Sequence, residues 1–591
     1  MRIRPILLAL SALGAAGAVG GVAATGSPAQ GGDARTYVVL FDQSASTAQA
    51  TASIQAAGGT VERLNTAVGV ATVRSTNQGF AGDAAARPGI AGAAADRSIG
   101  SVPRESRTRQ EREQIERLDA ERSASRGQQP AQPAPAASGD PLAPLQWDMQ
   151  MMHATTSGSY GRQQGSRDVR VGIMDTGVDA SHPDIAPNFD NRLSRNFTVD
   201  DPVIDGACDT DPDHSCQDPA NVDEDGHGTH VAGTIGAALN GIGIAGVAPR
   251  VDLVNLRAGQ DSGYFFIQPF VDALTYAADH GIDVVNMSFY IDPWLYNCAS
   301  NPADSSDEQA QQQAIIGAAQ RAIDYARARG VTIIAAAGNE HTDLGNPTVD
   351  DSSPDYPSPK SAHHRTVDNS CLDMPTEANG VVVVSSVGPS GRKAYYSNYG
   401  TEQTDVAAPG GDYRDFPNTD KYKTPGNLIL APYPESVGRA NGDIDAAGNP
   451  TTPFVVRDTQ KGRTAYYQYL QGTSMATPHA VGVAALIVSQ YGTRDRANGG
   501  LTLAPDTTAR LLQQTATDTA CPEPRQYVYD SPDLSSAYTA TCDGSPQRNG
   551  FFGDGVVDAL SAIQASGNGG GNGGGNGGGN GGGNGGAGGN G

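Results

Sequence analysis

Positive charge is scarce in this chain of 591 residues: 40 Lys and Arg stand against 64 Asp and Glu, a net charge of −24. That deficit argues against nucleic-acid binding, which calls for a basic patch or stripe to meet phosphate. The one dense run of mixed charge, Arg104 to Arg122, alternates in sign and reads as a solvated helix. Beyond the N-terminus no apolar run is long enough to span a bilayer. Cys-x-x-Cys pairs with partnering histidines are missing, which argues against a zinc framework. Hydrophobic residues make up only 38% and charged residues 18%, a lean balance that a Gly-rich C-terminal run exaggerates.

What is present begins with export logic. Arg2 and Arg4 precede an apolar stretch, Pro5 to Ala24, and small residues at Ala23, Ala24 and Ala29 offer cleavage points. Residues 1–30 are therefore expected to be a signal peptide, leaving a secreted, extracellular product without membrane attachment. Six cysteines in an exported chain point to disulfides. They allow fifteen connectivities. Proximity along the chain favours Cys208–Cys216 and Cys521–Cys542, which leaves Cys298–Cys371.

Residues 35–75 pattern as a small α+β unit, with strands at 37–41, 60–64 and 68–73 and a helix at 46–56. Residues 76–140 read as an Ala/Gly-rich loose stretch, a charged helix, and a Pro/Ala/Gln linker from Gly127 to Pro144. From 141 to 565 near-continuous Val/Ile/Ala segments alternate with helical ones. Strands are predicted at 169–174, 251–256, 284–289, 331–336 and 381–386, and helices at 268–280 and 308–329. Such strands belong to a parallel sheet covered on both faces, an α/β doubly wound domain. Residues 566–591 repeat Asn-Gly-Gly-Gly, cannot bury a core, and are expected to form a flexible tail.

Three short motifs carry chemistry. Asp175 ends a buried strand and is followed by Thr176-Gly177. Alone this is an ordinary turn or the signature of an aspartic protease, but no second Asp-Thr-Gly exists and the pattern is not all-β. His227 lies between Gly226 and Gly228, where a helix is expected to begin. His230, three residues on, lacks the Glu of a zinc-protease motif and is expected to be structural. Ser474, in Gly472-Thr473-Ser474-Met475-Ala476, opens an apolar helix whose N-terminus favours negative charge. A lone Ser there is more simply an N-cap. The order Asp, His, Ser is one of three orders known for serine-protease triads.

The stretches VGIMDTGVDASHPD, GHGTHVAGT and GTSMATPHAVG together resemble the three signature segments of subtilisin-like serine proteases. VVNMSF, AAAGNE, YYSNYG…DVAAPG and GDGVVDA extend the likeness over about residues 145–563. The unit at 35–75 resembles the inhibitory propeptide of that family. The resemblance implies an endopeptidase acting on polypeptides through an acyl-enzyme, with Ser474 as nucleophile, His227 as base and Asp175 as its partner. It implies an oxyanion hole from Asn339 and the Ser474 N–H. It implies substrate contacts at Ser288, Phe289, Tyr290, Ala337 and Gly338, although Tyr290 and Ile291 replace the Gly-Gly usual after Ser-x. No catalytic cofactor is implied. A structural Ca²⁺ is, through Asp184, Asn240, Ile242 and Ile244, with Gln146 or Gln150 completing the set. On the local reading the same residues are a turn and a glycine loop. The carboxylates between Asp200 and Asp225 read either as a further calcium site or as a disulfide-held solvated insert. The chain is expected to act as a monomer, to be inhibited by its own propeptide, and to mature by a cut near residues 135–145.

Overall fold

The computed structural model describes residues 34–95, 115–128 and 139–565, apart from 203, 211–213, 357–360, 530–533 and 535–537. The signal peptide and the Gly/Asn tail lie outside the described residues.

The N-terminal unit is a four-stranded antiparallel sheet. Its strands are β1 (Arg35–Phe41), β2 (Gly59–Asn65), β3 (Val70–Ser75) and β4 (Ile90–Ala95), in the order β2-β3-β1-β4. Ser46 caps the helix Thr47–Ala56 by accepting from the Gln49 N–H, which satisfies one of its orphan donors. The unit extends further than expected. Residues 76–95 are not loose: they form the helix Phe80–Ala85 and the edge strand β4. β4 contains no branched residue after Ile90, so nothing local marks it as a strand. Pairing with β1 and burial of Ala93 and Ala94 hold it in place.

The main domain is built on seven strands: β5 (Arg170–Met174), β6 (Arg195–Asn196), β7 (Asp252–Arg257), β8 (Val284–Met287), β9 (Thr332–Ala336), β12 (Val382–Val387) and β13 (Val406–Pro409). Two short strands between them, β10 (Val349–Asp350) and β11 (Arg365–Thr366), pair with each other outside this sheet. The order is β13-β12-β9-β8-β5-β7-β6, and every pair is parallel. Parallel strands need crossover connections, and these put helices on both faces. One face carries the helices His227–Gly236 and Thr473–Tyr491. The other carries Ile267–Asp279 and Ser306–Arg327. The all-apolar strand segments are thereby explained, since Val171, Ile173, Val284, Val285, Ile333 and Ile334 are all fully buried.

The N-terminal sheet rests on the second helical layer. Val38, Leu40, Val68 and Val70 join the core of that face. Arg321 donates to the Phe41 carbonyl at 2.6 Å, and Asn65 reaches Asp272 and Thr275 at 3.0 and 2.7 Å. A smaller antiparallel sheet is formed by β14 (Ile429–Pro432), β15 (Val455–Gln460) and β16 (Arg463–Leu470). All three expected disulfides are formed: Cys208–Cys216, Cys298–Cys371 and Cys521–Cys542.

The segment 290–375 is organised around one buried cation. The Arg365 guanidinium, fully buried, meets Asp304 at 2.9 Å and Asp350 at 2.7 Å. Removing the cation would leave two desolvated carboxylates facing each other. Arg365→Ala is expected to cost about 3–5 kcal/mol of stability, read as a lower midpoint in urea denaturation.

Candidate active site

A parallel sheet puts the carboxyl ends of its strands along one edge, where α/β proteins assemble their sites. Asp175 follows β5, Ser288 follows β8, and Asn339 lies just past β9. Two helix starts point at the same edge. His227 is the first residue of one helix and Ser474 the second of the other. The glycines around His227 are required. Gly226 has φ +99°, and a Cβ on Gly228 would run into the Gly177 carbonyl and lie 3.0 Å from the Asp175 Cβ.

The structure brings the three motif residues together. His227 Nδ1 is 2.6 Å from Asp175 Oδ1, and that oxygen also accepts the Thr176 N–H at 2.8 Å. Asp223 braces the turn by accepting from Thr176 Oγ1, the Gly226 N–H and both donors of Thr229. His230 is buried with Nε2 at 3.1 Å from the carbonyls of Ile429 and Gln468. Burial, and then the charge of His227, pull its pKa down to about 3, as a neutral structural histidine requires.

Ser474 is not an N-cap, since Gly472 holds that position. The Ser474 hydroxyl donates to Oε1 of Glu116 at 2.6 Å. The same carboxylate oxygen accepts from Asn339 Nδ2 at 2.9 Å, and Oε2 lies 3.4 Å from His227 Nε2. The Asn339 amide is fixed by its other end, where Oδ1 accepts from the N–H and hydroxyl of Thr473, both at 2.9 Å. One carboxylate oxygen thus sits where both a serine hydroxyl and an amide donor point. Two donors, one hydroxyl and one amide, converge on a single anionic oxygen.

Glu116 belongs to a strap, residues 115–128, that lies in the cleft. The Glu116 carbonyl accepts from the Gln471 N–H at 3.2 Å, and Leu118 is buried among Tyr413, Leu430, Phe454 and Tyr469. Arg117 pairs with Asp225 at 2.5 Å, and Arg122 pairs with Asp443, all four side chains being buried. This corrects, for 115–122, the reading of that run as a solvated helix, and for 115–128 the reading as a linker; 96–114 and 129–138 lie outside the described residues. Leu118 takes a left-handed conformation (φ +50°) that interrupts the helix, and the described helical run is Asp119–Ala124. Nothing in the strap's composition marks it, because its charges are satisfied by residues more than a hundred positions away.

The residues implied for calcium also meet. Asn240 Nδ2 lies 3.1 Å from Asp184 Oδ1, and the Ile244 N–H and the Tyr467 hydroxyl donate to Asp184 Oδ2 at 3.2 and 2.7 Å. Gln146 clasps the backbone of Ala245 on the same loop, whereas Gln150 is exposed. Asp140, absent from the expected set, accepts the Gly241 N–H at 2.6 Å and keeps its other oxygen buried without a partner. Burial, against several hydrogen bonds, pushes Asp184 up to about 7 and Asp140 up to about 6; Asp140 adds to the rise at Asp184, and Asp458 to that at Asp140. Two buried carboxylates with an orphaned oxygen fit a hard cation. In and beside the acidic stretch after Asp200, Asp200, Asp218 and Asp261 gather on the fully buried Arg257.

The expected substrate residues divide. Ser288, Phe289, Tyr290 and Gly338 line a cleft pocket beside Ser474, and Ala337 is fully buried. Tyr290 does not fall across the pocket freely, since its hydroxyl is tied to Asp355 at 2.6 Å.

The pattern of the subtilase family, Peptidase_S8, matches residues 166–553. The chain belongs to that family of serine endopeptidases. Among curated relatives, it is 28% identical to subtilisin DY from Bacillus licheniformis over 325 residues, covering 55% of this chain and 78% of that one. It is 28% identical over 357 residues to the nisin leader peptide-processing serine protease NisP of Lactococcus lactis subsp. lactis, covering 59% of this chain and 44% of that protein. Its fold resembles the epidermin leader peptide processing serine protease of Staphylococcus aureus, with a TM-score of 0.57 at 21% identity, covering 90% of this chain and 99% of that one.

The protonation of His227 is set by its neighbours. Burial alone would lower its pKa, but the Asp175 carboxylate, helped by Glu116, holds it well above the ordinary value. With the strap in place the charged imidazole is favoured. Its contribution to strap docking is fully present below the ordinary histidine range and is lost as pH rises through the elevated folded value. NMR of the uncut chain labelled at histidine should show His227 titrating above the ordinary histidine range. Glu116→Gln should lower its pKa and loosen the strap.

Proposed function

We propose that this chain is a secreted endopeptidase that cuts peptide bonds through an acyl-enzyme on Ser474 and is held latent by its own N-terminal segment. The observation that carries the reading is the position of the Glu116 carboxylate, within hydrogen-bond reach of Ser474 Oγ and Asn339 Nδ2 together. With the strap withdrawn, His227 takes the Ser474 proton while Asp175 holds the imidazole by Nδ1 and stabilises its charged form. Ser474 Oγ attacks the carbonyl, and the oxyanion is met by Asn339 Nδ2 and the Ser474 N–H at its helix start. His227 then passes the proton to the leaving amine, and water repeats the cycle. Every one of these groups comes from one chain, which fits action as a monomer on polypeptides. No described helix is long and apolar enough to cross a membrane.

Latency has two parts in this reading. The sheet of residues 35–95 rests on the helices Ile267–Asp279 and Ser306–Arg327, and the strap fills the cleft. The stretch between them and the main domain, 129–138, lies outside the described residues and carries no apolar anchor in sequence. A cut there, followed by departure of both parts, opens the site. Ser474→Ala, made in a host without other proteases, is expected to retain residues 35–128 and to lose fluorophosphonate labelling. A Ser474→Ala protein that still matures and is still labelled would remove Ser474 from the reaction.

Asp184, Asp140 and Asn240, with loop carbonyls, would hold a structural calcium ion that neutralises the buried carboxylates. The ion supplies stability and no chemistry. Calcium is expected to raise the melting temperature of the purified protein, and a chelator to lower it by several degrees. Asp184→Asn should abolish the calcium response.

A further inference from the structure

The pocket beside Ser474 is lined by acidic and not by basic side chains. Besides Ser288, Tyr290, Gly338 and Asn339, its wall includes two carboxylates, Glu340 and Asp373, and none of its lining residues is Lys, Arg or His. Asp373 is 2% exposed, and its position is set by an N–H bond to Glu377 at 2.9 Å. Glu340 Oε2 accepts from Asn398 Nδ2 at 2.7 Å. A Cβ added at Gly338 would run into Asn398 Nδ2 and come within 2.7 Å of Glu340 Oε2, so the Glu340–Asn398 pair packs directly against that glycine. The field of the two acids is felt nearby. The buried Tyr296 hydroxyl is pushed well above its ordinary pKa first by burial and then by Glu340 and Asp373.

A second observation concerns what the cleft already holds. The strap meets it through guanidinium–carboxylate pairs, Arg117 on Asp225, two residues before His227, and Arg122 on Asp443. Asp443 is 2% exposed, and the cations within ion-pair distance of it, among the described residues, are Arg122 and Arg126, both on the strap. Once the strap leaves, Asp225 and Asp443 lose these guanidinium contacts. A peptide chain bearing basic side chains is thus the kind of occupant this cleft is built to seat.

We infer that the pocket beside Ser474 selects a Lys or Arg side chain on the substrate residue whose carbonyl Ser474 attacks, with Asp373 and Glu340 as the specificity-determining carboxylates. Phe289, Tyr290 and Leu295 give apolar wall for the aliphatic stem, and the acids meet its charged head. An apolar side chain would strip water from the carboxylates without replacing it, and an acidic one would be repelled. The excess of 64 Asp and Glu over 40 Lys and Arg gives the whole molecule a field that draws cationic peptides.

The inference rests on the endopeptidase reading above, and its test keeps the two apart. The full-length chain, secreted and allowed to mature, is assayed on fluorogenic peptides that differ only at the residue preceding the scissile bond: Arg, Lys, Leu or Glu. Arg and Lys peptides are expected to exceed the Leu peptide in kcat/KM by about 10²-fold, the scale of a partly desolvated ion pair, with the Glu peptide slowest. Asp373→Asn and Glu340→Gln should each lower the Arg-to-Leu ratio about tenfold or more. The ratio is internal to each preparation, so a fraction of misfolded variant does not move it. Preference for Leu in the parent, or an unchanged ratio in both variants, overturns the inference while leaving the endopeptidase standing. A protein that takes no fluorophosphonate and cuts none of the peptides overturns the underlying reading and this one with it.

Discussion

Parallel pairing is the constraint on which the rest depends. Because each strand of the β13-to-β6 sheet runs the same way, every connection must cross over, and every strand ends on the same edge. That geometry brings residues 175, 288 and 339 to one place although the chain separates them widely. It also requires that the central strands be buried on both faces, which is why Val, Ile, Leu and Ala make up more than half of them. The glycines about His227 then let a helix start press against the end of β5.

The same constraint decides what can be read in advance. Val284–Met287 and Thr332–Ala336 stand out from the sequence because complete burial leaves a run of branched residues. Asp175, His227 and Ser474 stand out because close backbone approach and a helix start demand short, fixed glycine-bearing strings around them. The disulfide partners follow because each pair closes a loop that the chain order already suggests.

Other features could not be read. β4 consists of alanines and a glycine after Ile90, and only pairing with β1 makes it a strand. Glu116 sits in a charged run indistinguishable from a solvated helix, because its partners, Ser474 and Asn339, are supplied by distant strands and a distant helix. Asp140 and Asp373 have the same character: each is an ordinary acidic residue in sequence and gains meaning only from what the fold sets beside it. The signal for such residues lies in three-dimensional charge balance rather than in spacing.

The group lodged between Ser474 and Asn339 is a side-chain carboxylate, and that choice has a chemical consequence. A peptide carbonyl in the same place would be attacked and its bond broken. A carboxylate is already an anion, resists a second nucleophile, and has no amine to expel. Together with Asp175 it also favours the charged form of His227, which on the endopeptidase reading is the form unable to accept the Ser474 proton. An obstruction of this kind has no products to become, and contact with the nucleophile does not wear it away.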